Sequence, residues 1–217
     1  GDSAGDSAGG ESEFLCEGFH RGRMGQDLRL AGGDVCCVER VGGIGGSRMV
    51  LSAEGLTSGM AEWELRIDRA GLGAASVEQG SLRTFKCSHT LRQAMTRACG
   101  IRIGVGNAGA NLRWFVGFDA KSMGLHNKGG VWHDGTPFQE QSMDRDRRTA
   151  SFGAGDRVTV TADLDRDTLK FSINDNPVPG VHYLRRLVPG EPVFLAISLL
   201  WPGEMVTMVR EDIYESA

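Results

Sequence analysis

The strongest constraint on the fold is an unbroken alternation of apolar and polar side chains across residues 61–68. Apolar residues occupy every second position, namely Ala61, Trp63, Leu65 and Ile67, and every residue between them is charged. Successive side chains of a strand point to opposite faces of its sheet. The alternation therefore predicts a β-strand with one face in a core and the other in water.

Nine further short runs of apolar or alternating character follow the same logic and predict strands. They lie at residues 28–30, 35–38, 49–51, 101–105, 114–118, 158–164, 169–173, 193–200 and 205–209. Ten short strands punctuated by 32 glycines indicate an all-β fold, an antiparallel sandwich or barrel. The residues expected to face inward between two sheets are Trp63, Leu65, Ile67, Ile103, Val105, Val160, Leu164, Phe171, Ile173, Leu195 and Ile197.

Two stretches do not follow the strand pattern. Residues 1–13 repeat Gly-Asp-Ser-Ala and are predicted to be a flexible tail, which leaves residues 14–217 as a single domain. Residues 70–100 form a long insertion in which Leu91, Met95 and Ala98 recur at helical spacing after Thr90, so a short helix is expected there. Loops of this length are usually functional or disordered.

The four tryptophans fall into two groups. Trp63 and Trp114 lie in predicted strands and are expected in the core. Trp132 and Trp201 lie in segments rich in glycine or proline, where an aromatic side chain that stands at the surface would be an anchor for a partner. The alternative is that each folds back to cover the end of the core.

Composition excludes several classes of function. The 24 Lys and Arg residues against 28 Asp and Glu residues give no electrostatic footprint for nucleic acid, and the longest apolar run is far shorter than the ~20 residues of a membrane-spanning helix. The odd count of five cysteines without a Cys-x-x-Cys motif, together with the lack of any Asn-x-Ser/Thr site, predicts a reduced, intracellular and cytoplasmic location. We expect an isolated domain to be monomeric.

Four motifs resemble catalytic or metal chemistry but lack its context. Two Gly-x-Ser-x-Gly matches lie in the tail, and Gly104-x-Gly106-x-x-Gly109 follows a strand but is not followed by a helix. The aspartates at 163, 165 and 167 resemble a calcium loop without its glycine and glutamate, so a hairpin turn is expected. No histidine stands at metal-ligand spacing from another histidine or a cysteine. We therefore expect no cofactor, no metal and no catalytic residue; the alternative is a hydrolase built on a Cys and a His that meet in space.

Several segments resemble the SPRY (B30.2-like) family. They are SGMAEWEL at 58–65, IRIGV at 101–105, and GDRV at 155–158 leading into DLDRDTLKFSIN at 163–174, which is the most specific. The resemblance covers about residues 28–209. It implies a bent, concanavalin A-like antiparallel sandwich whose loops at one end bind short segments of partner proteins, with no catalytic residues.

The loops look most like those of the SPRY and SOCS-box adaptor branch. There the resemblance points to Val131, Trp132 and His133 in one loop and to Leu200, Trp201, Pro202 and Gly203 in the other. Trp132 replaces the branch's tyrosine and Pro202 replaces a glycine, so the same peptide motif is not expected. The predicted function is a non-catalytic protein-binding module, and the alternative is a lectin-like domain that binds carbohydrate or a small ligand.

Overall fold

The computed structural model describes residues 17–42, 47–71, 100–137 and 151–214. These residues form strands joined by turns and two short 3₁₀ turns, so the all-β prediction is confirmed. The predicted tail at 1–13 and the predicted helix within 70–100 lie outside the described residues. The strands are β1 Phe19–Met24, β2 Leu28–Leu30, β3 Cys37–Arg40, β4 Arg48–Ser52, β5 Met60–Arg69, β6 Arg102–Asn107, β7 Ser122–His126, β8 Val131–His133, β9 Thr136–Pro137, β10 Arg157–Asp163, β11 Thr168–Ile173, β12 Asn176–Pro177, β13 Val193–Leu199 and β14 Met205–Tyr214.

The strands form two antiparallel sheets of seven strands each. The first sheet has the order β1-β4-β13-β6-β7-β8-β9, and the second has the order β12-β11-β10-β5-β14-β3-β2. The inner faces of both sheets contribute to one hydrophobic cluster, in which Trp63 of β5 and Ile103 of β6 are fully buried. The chain is thus a β-sandwich, as the alternation predicts.

The predicted inward-facing residues are buried with one exception. Leu164 directly follows β10 in the turn to β11 and is only partly buried against the core. The hairpin between these strands holds the three aspartates, and Asp167 adopts a positive φ of 56° there. The expectation of a hairpin turn is confirmed.

The outer faces of the two sheets differ. That of the second sheet carries ion pairs in water, such as Arg29 with Glu39. The outer face of the first sheet is covered by residues 108–121, which we call the covering segment. A second apolar cluster, which includes Val116, Met49 and Phe194, forms there. Every residue of β13 is buried because both of its faces are covered.

The predictions of a strand at residues 114–118 and of a core position for Trp114 were wrong. This stretch is a chain of turns, in which the Trp114 amide donates to the Asn111 carbonyl (3.1 Å) and Gly117 has a φ of 86°. Phe115 and Val116 are buried against the outer face of the first sheet, whereas Trp114 is 42% exposed. The run is apolar because its side chains pack on the outer face of a sheet and not because it is a strand of that sheet.

Five strands were not predicted: β1, β7, β8, β9 and β12. The sequence of β1, FHRGRM, has too few apolar residues to alternate, and that of β7, SMGLH, is buried on both faces and therefore does not alternate either. The other three strands have only two or three residues each.

Candidate functional site

Trp132 lies on the outer face of the first sheet. Its strand β8 pairs with β7, and Trp132 stands opposite Gly124, which in turn stands opposite Gly104 of β6. The indole is half-buried, and it meets the Phe115 ring edge-on at 6.1 Å between centroids. Trp132 therefore belongs to a surface made with the covering segment.

Arg102 of β6 holds these rings in place. Its side chain is fully buried, and its guanidinium carbon lies 3.6 Å from the centroid of the Phe115 ring and 4.3 Å from that of Trp132. A desolvated cation over an aromatic face contributes about 2 kcal/mol. The orientation of both rings is therefore set before any partner arrives.

Trp114 extends the surface toward solvent. Its indole stacks on the Phe118 ring at 4.5 Å with an angle of 9° between the planes, and Phe118 meets Phe115 edge-on at 5.4 Å. We call the four rings of Trp114, Phe115, Phe118 and Trp132 the aromatic patch. An exposed, rigidly stacked indole is the kind of side chain that anchors protein interfaces.

The two neighbours of Trp132 in β8 do not contribute side chains to the aromatic patch. Val131 is buried in the main core, opposite Leu125. His133 is half-buried, and its Nδ1 lies 3.1 Å from the Ser122 carbonyl oxygen. Of the three residues predicted in this loop, Trp132 is therefore the one that contributes its side chain to the aromatic patch.

The Leu200–Gly203 turn links β13 of the first sheet to β14 of the second. Leu200 and Trp201 are half-buried, Pro202 is exposed, and Gly203 has a φ of 88° that favours glycine. The buried carboxylate of Glu204 accepts the Leu200 amide at 2.6 Å and the Trp201 amide at 2.9 Å. The backbone of this turn is thereby fixed by a side chain.

The two predicted segments belong to the same sheet but do not adjoin. Ser198, near the end of β13, stands opposite Arg102 of β6, and β8 lies three strands from β13. At about 4.8 Å per strand the lateral separation is roughly 14 Å. Trp132 stands level with Ala196, four residues before Leu200, so the turn also lies roughly 13 Å further along the strands.

Sequence reasoning missed Arg102, Phe118 and the surface position of Trp114. An arginine flanked by apolar residues at 101 and 103 was the available signal, since a charge is almost never buried without a partner. Its aromatic partners come from elsewhere in the chain, so only the fold reveals them.

The motifs that resemble chemistry have structural explanations. Gly104 and Gly106 lie within β6, which ends in a turn where the Ala110 amide donates to the Asn107 carbonyl (3.0 Å). Within the described residues, no three His, Cys, Asp or Glu side chains come together as metal ligands would. Burial raises the pKa of the Cys37 thiol, the opposite direction from that of an activated nucleophile.

The fold and the sheet order define the class of the chain: it is a SPRY-like β-sandwich domain. Among solved structures it resembles the SPRY domain of human HERC1, with a TM-score of 0.61 and 18% identity over 88% of this chain and 96% of that one. It also resembles a human SPRY domain (TM-score 0.56, 17% identity, 83% of this chain and 95% of that one). A third similar structure is the TRIM65 PSpry domain (TM-score 0.57, 14% identity, 89% and 91%).

No protein-family model matches the sequence, and no curated protein matches it significantly. The similar structures confirm the SPRY-type fold, while kinship with the SPRY and SOCS-box branch stays a prediction. In the part of the chain that the structure describes, no helix is long and apolar enough to cross a membrane.

Proposed function

We propose that this chain is a non-catalytic interaction domain that binds a segment of a partner protein. The binding surface consists of the aromatic patch and the Leu200–Gly203 turn. The three solved neighbours named above are SPRY domains, which supports a role in protein interaction.

The observation that carries the proposal is the Trp114 indole, 42% exposed and stacked on Phe118. An apolar ring held at the surface by other rings has already lost its rotational freedom, so a partner that covers it loses little further entropy. Below it, the Arg102 guanidinium fixes Phe115 and Trp132. The patch is thus rigid, apolar and accessible, which is what an anchor site needs.

The distance between the patch and the turn indicates the size of the ligand. An extended peptide advances about 3.3 Å per residue, and roughly 14 Å across the strands with roughly 13 Å along them gives about 19 Å, so about six residues would span the distance. We therefore propose a short extended segment as the ligand. Within this proposal the domain acts in a reducing compartment, consistent with the buried Cys37 as a thiol.

The proposal is tested by selecting binders from a displayed library of natural protein segments and measuring the affinity of a selected segment for single variants. We expect Trp114→Ala to weaken binding about thirty-fold or more, as truncation of an anchor tryptophan does. Its melting temperature should stay within a few degrees of wild type, since the ring is exposed. Trp132→Ala should weaken binding and also lower the melting temperature, because it removes a partner of Arg102.

Tyr183→Ala is the matched control. Tyr183 is also an exposed aromatic (37%), but it precedes a 3₁₀ turn between β12 and β13, away from the patch. It should bind the selected segment like wild type. Unchanged affinity of Trp114→Ala would contradict the proposal.

The lectin-like alternative uses the same exposed indole in another way, by stacking on a sugar ring. A glycan array probed with wild type and Trp114→Ala separates the two functions. Trp114-dependent glycan binding without any selected peptide would replace the proposed function with carbohydrate binding.

A further inference from the structure

Glu204 is a buried carboxylate that joins two separate parts of the chain. Its side chain follows the Leu200–Gly203 turn, directly before β14, and the residue is 1% exposed. One carboxylate oxygen, Oε2, accepts the amides of Leu200 and Trp201. The other, Oε1, accepts the Gly71 amide at 3.3 Å.

Gly71 places this contact at a junction. It is the last described residue after β5, directly before residues 72–99. A methyl group added at Gly71 would lie 2.5 Å from Trp201 Cβ and 2.8 Å from Trp201 Cδ1. The glycine therefore allows Trp201 to lie directly against the end of β5.

Arg40 of β3 completes the surroundings of the carboxylate. Its side chain is fully buried and its charge favours the ionised form of Glu204, while its own backbone pairs with the turn through Gly203 and Glu204. Asp27 lies 3.8 Å from Arg40, and Arg48 lies 3.7 Å from Asp27. Charged groups from three elements thus surround the junction.

We propose that Glu204 is a positioning residue that fixes Trp201 and the Leu200–Gly203 turn against Gly71, so that the turn presents a fixed surface to the proposed peptide segment. This inference rests on the proposed function, because it assigns the turn's geometry to partner binding. A carboxylate is suited to the task, since it offers enough lone pairs for three amide donors at once.

The sign of the pH effect follows from burial. Burial raises the pKa of Glu204, although the Trp201, Leu200 and Gly71 amides and the charge of Arg40 oppose the rise. The folded state therefore favours the protonated form. The stability that Glu204 contributes is present at low pH and falls as the pH rises through its pKa. Protonation instead removes the charge that assists these hydrogen bonds and makes one of the two oxygens a donor, which weakens the hold of the carboxyl on the three amides.

The first test is an amide NMR titration from about pH 7.5 down to the ordinary glutamate pKa of about 4.3. The Leu200, Trp201 and Gly71 signals should shift together, with one midpoint above the ordinary value. Glu204→Gln should abolish this shared transition, whereas Glu54→Gln, the same change at an exposed position, should leave it intact. Three signals without a common midpoint would overturn the inference.

The second test uses the peptide segment selected above. The affinity of wild type for this segment should fall about tenfold on protonation of Glu204, as expected for losing charge-assisted hydrogen bonds. Glu204→Gln should bind the segment weakly, and its affinity should not change over the same pH range. Equal affinity of wild type and Glu204→Gln at neutral pH would overturn the positioning role.

Gly71→Ala keeps the inference testable if Glu204→Gln fails to fold. Its added methyl group would overlap both Trp201 and the Glu204 carboxylate, so it should disturb the same contact and show the same loss of affinity, with Gly153→Ala as a control in open space. Unchanged affinity of Gly71→Ala would count against the inference. If Trp114→Ala binds like wild type, the proposed function is wrong, while the NMR titration still decides whether Glu204 fixes the turn.

Discussion

Trp63 and Trp114 show how the surroundings of a residue decide its role. Trp63 is fully buried in β5, and its Nε1–H donates to Glu211 Oε1 at 3.0 Å, so both its apolar and its polar parts are satisfied inside. Trp114 stacks on Phe118 and is 42% exposed. Burial therefore assigns the first to stability, and exposure leaves the second available for the proposed recognition role.

Trp63→Ala is expected to lower the free energy of unfolding by about 3–5 kcal/mol, because it leaves a large cavity and removes the hydrogen bond to Glu211. Denaturant unfolding monitored by circular dichroism measures the change. Trp114→Ala serves as the comparison and should cost about 1 kcal/mol or less. A loss as large for Trp114 as for Trp63 would mean that the exposed ring is structural.

At the scale of elements, the first sheet is shaped by the segment that covers it. Ala196, Gly104 and Gly124 stand opposite one another on neighbouring strands β13, β6 and β7. A side chain at Gly124 would meet Val116 of the covering segment at 2.6 Å. The row of small residues makes room for the covering segment.

Gly104→Ala should destabilise the domain by about 1–3 kcal/mol, since the added methyl group would overlap the Met123 carbonyl oxygen of the neighbouring strand. Gly153→Ala adds the same atom where nothing lies within 4 Å and should be neutral or slightly stabilising. Thermal unfolding of the two variants measures the difference. Equal melting temperatures would show that the close approach at Gly104 does not limit stability.

These glycines also mark what sequence could predict about the elements. The spacing of Gly104 and Gly106 is that of a nucleotide-binding motif, but residues 108–121 after β6 form turns and not the helix that such a motif needs. Alternation predicted β5, whose outer face is turned to solvent. It could not predict β7, which is buried on both faces and therefore lacks an alternating pattern. Residues 114–118 were misassigned because a loop pressed onto a sheet is as apolar as a strand.

At the scale of the whole molecule, residues 72–99 connect β5 of the second sheet to β6 of the first. The described residues that flank this segment are Gly71, which contacts Trp201, and Gly100, which lies close to Asn127. Loops of this length are usually functional or disordered. We propose that this segment contributes surface for the partner.

Replacing residues 73–98 by a short Gly-Ser linker, long enough to cross the ~10 Å between packed sheets, should leave cooperative unfolding intact. Affinity for the selected peptide segment should fall, because one side of the surface is removed. Calorimetry of unfolding and of binding measures the two effects separately. Loss of cooperative unfolding with unchanged binding elsewhere would assign the segment to the fold instead.

The candidate site was only partly accessible to sequence reasoning. Trp132 and Trp201 were found from their glycine-rich and proline-rich surroundings. Arg102, Glu204 and Gly71 were not, because each acts on a residue far away in the chain. Such contacts depend on strand register, which local patterns do not specify.

The exposure of Trp114 has an optical consequence. Trp63, sealed in the core, gives a constant emission background, and Trp132 and Trp201 are already partly shielded from water. Trp114 is the most exposed of the four indoles, so a partner that covers the patch would shift the emission maximum of the domain to shorter wavelength. The domain therefore carries its own unlabelled reporter of occupancy.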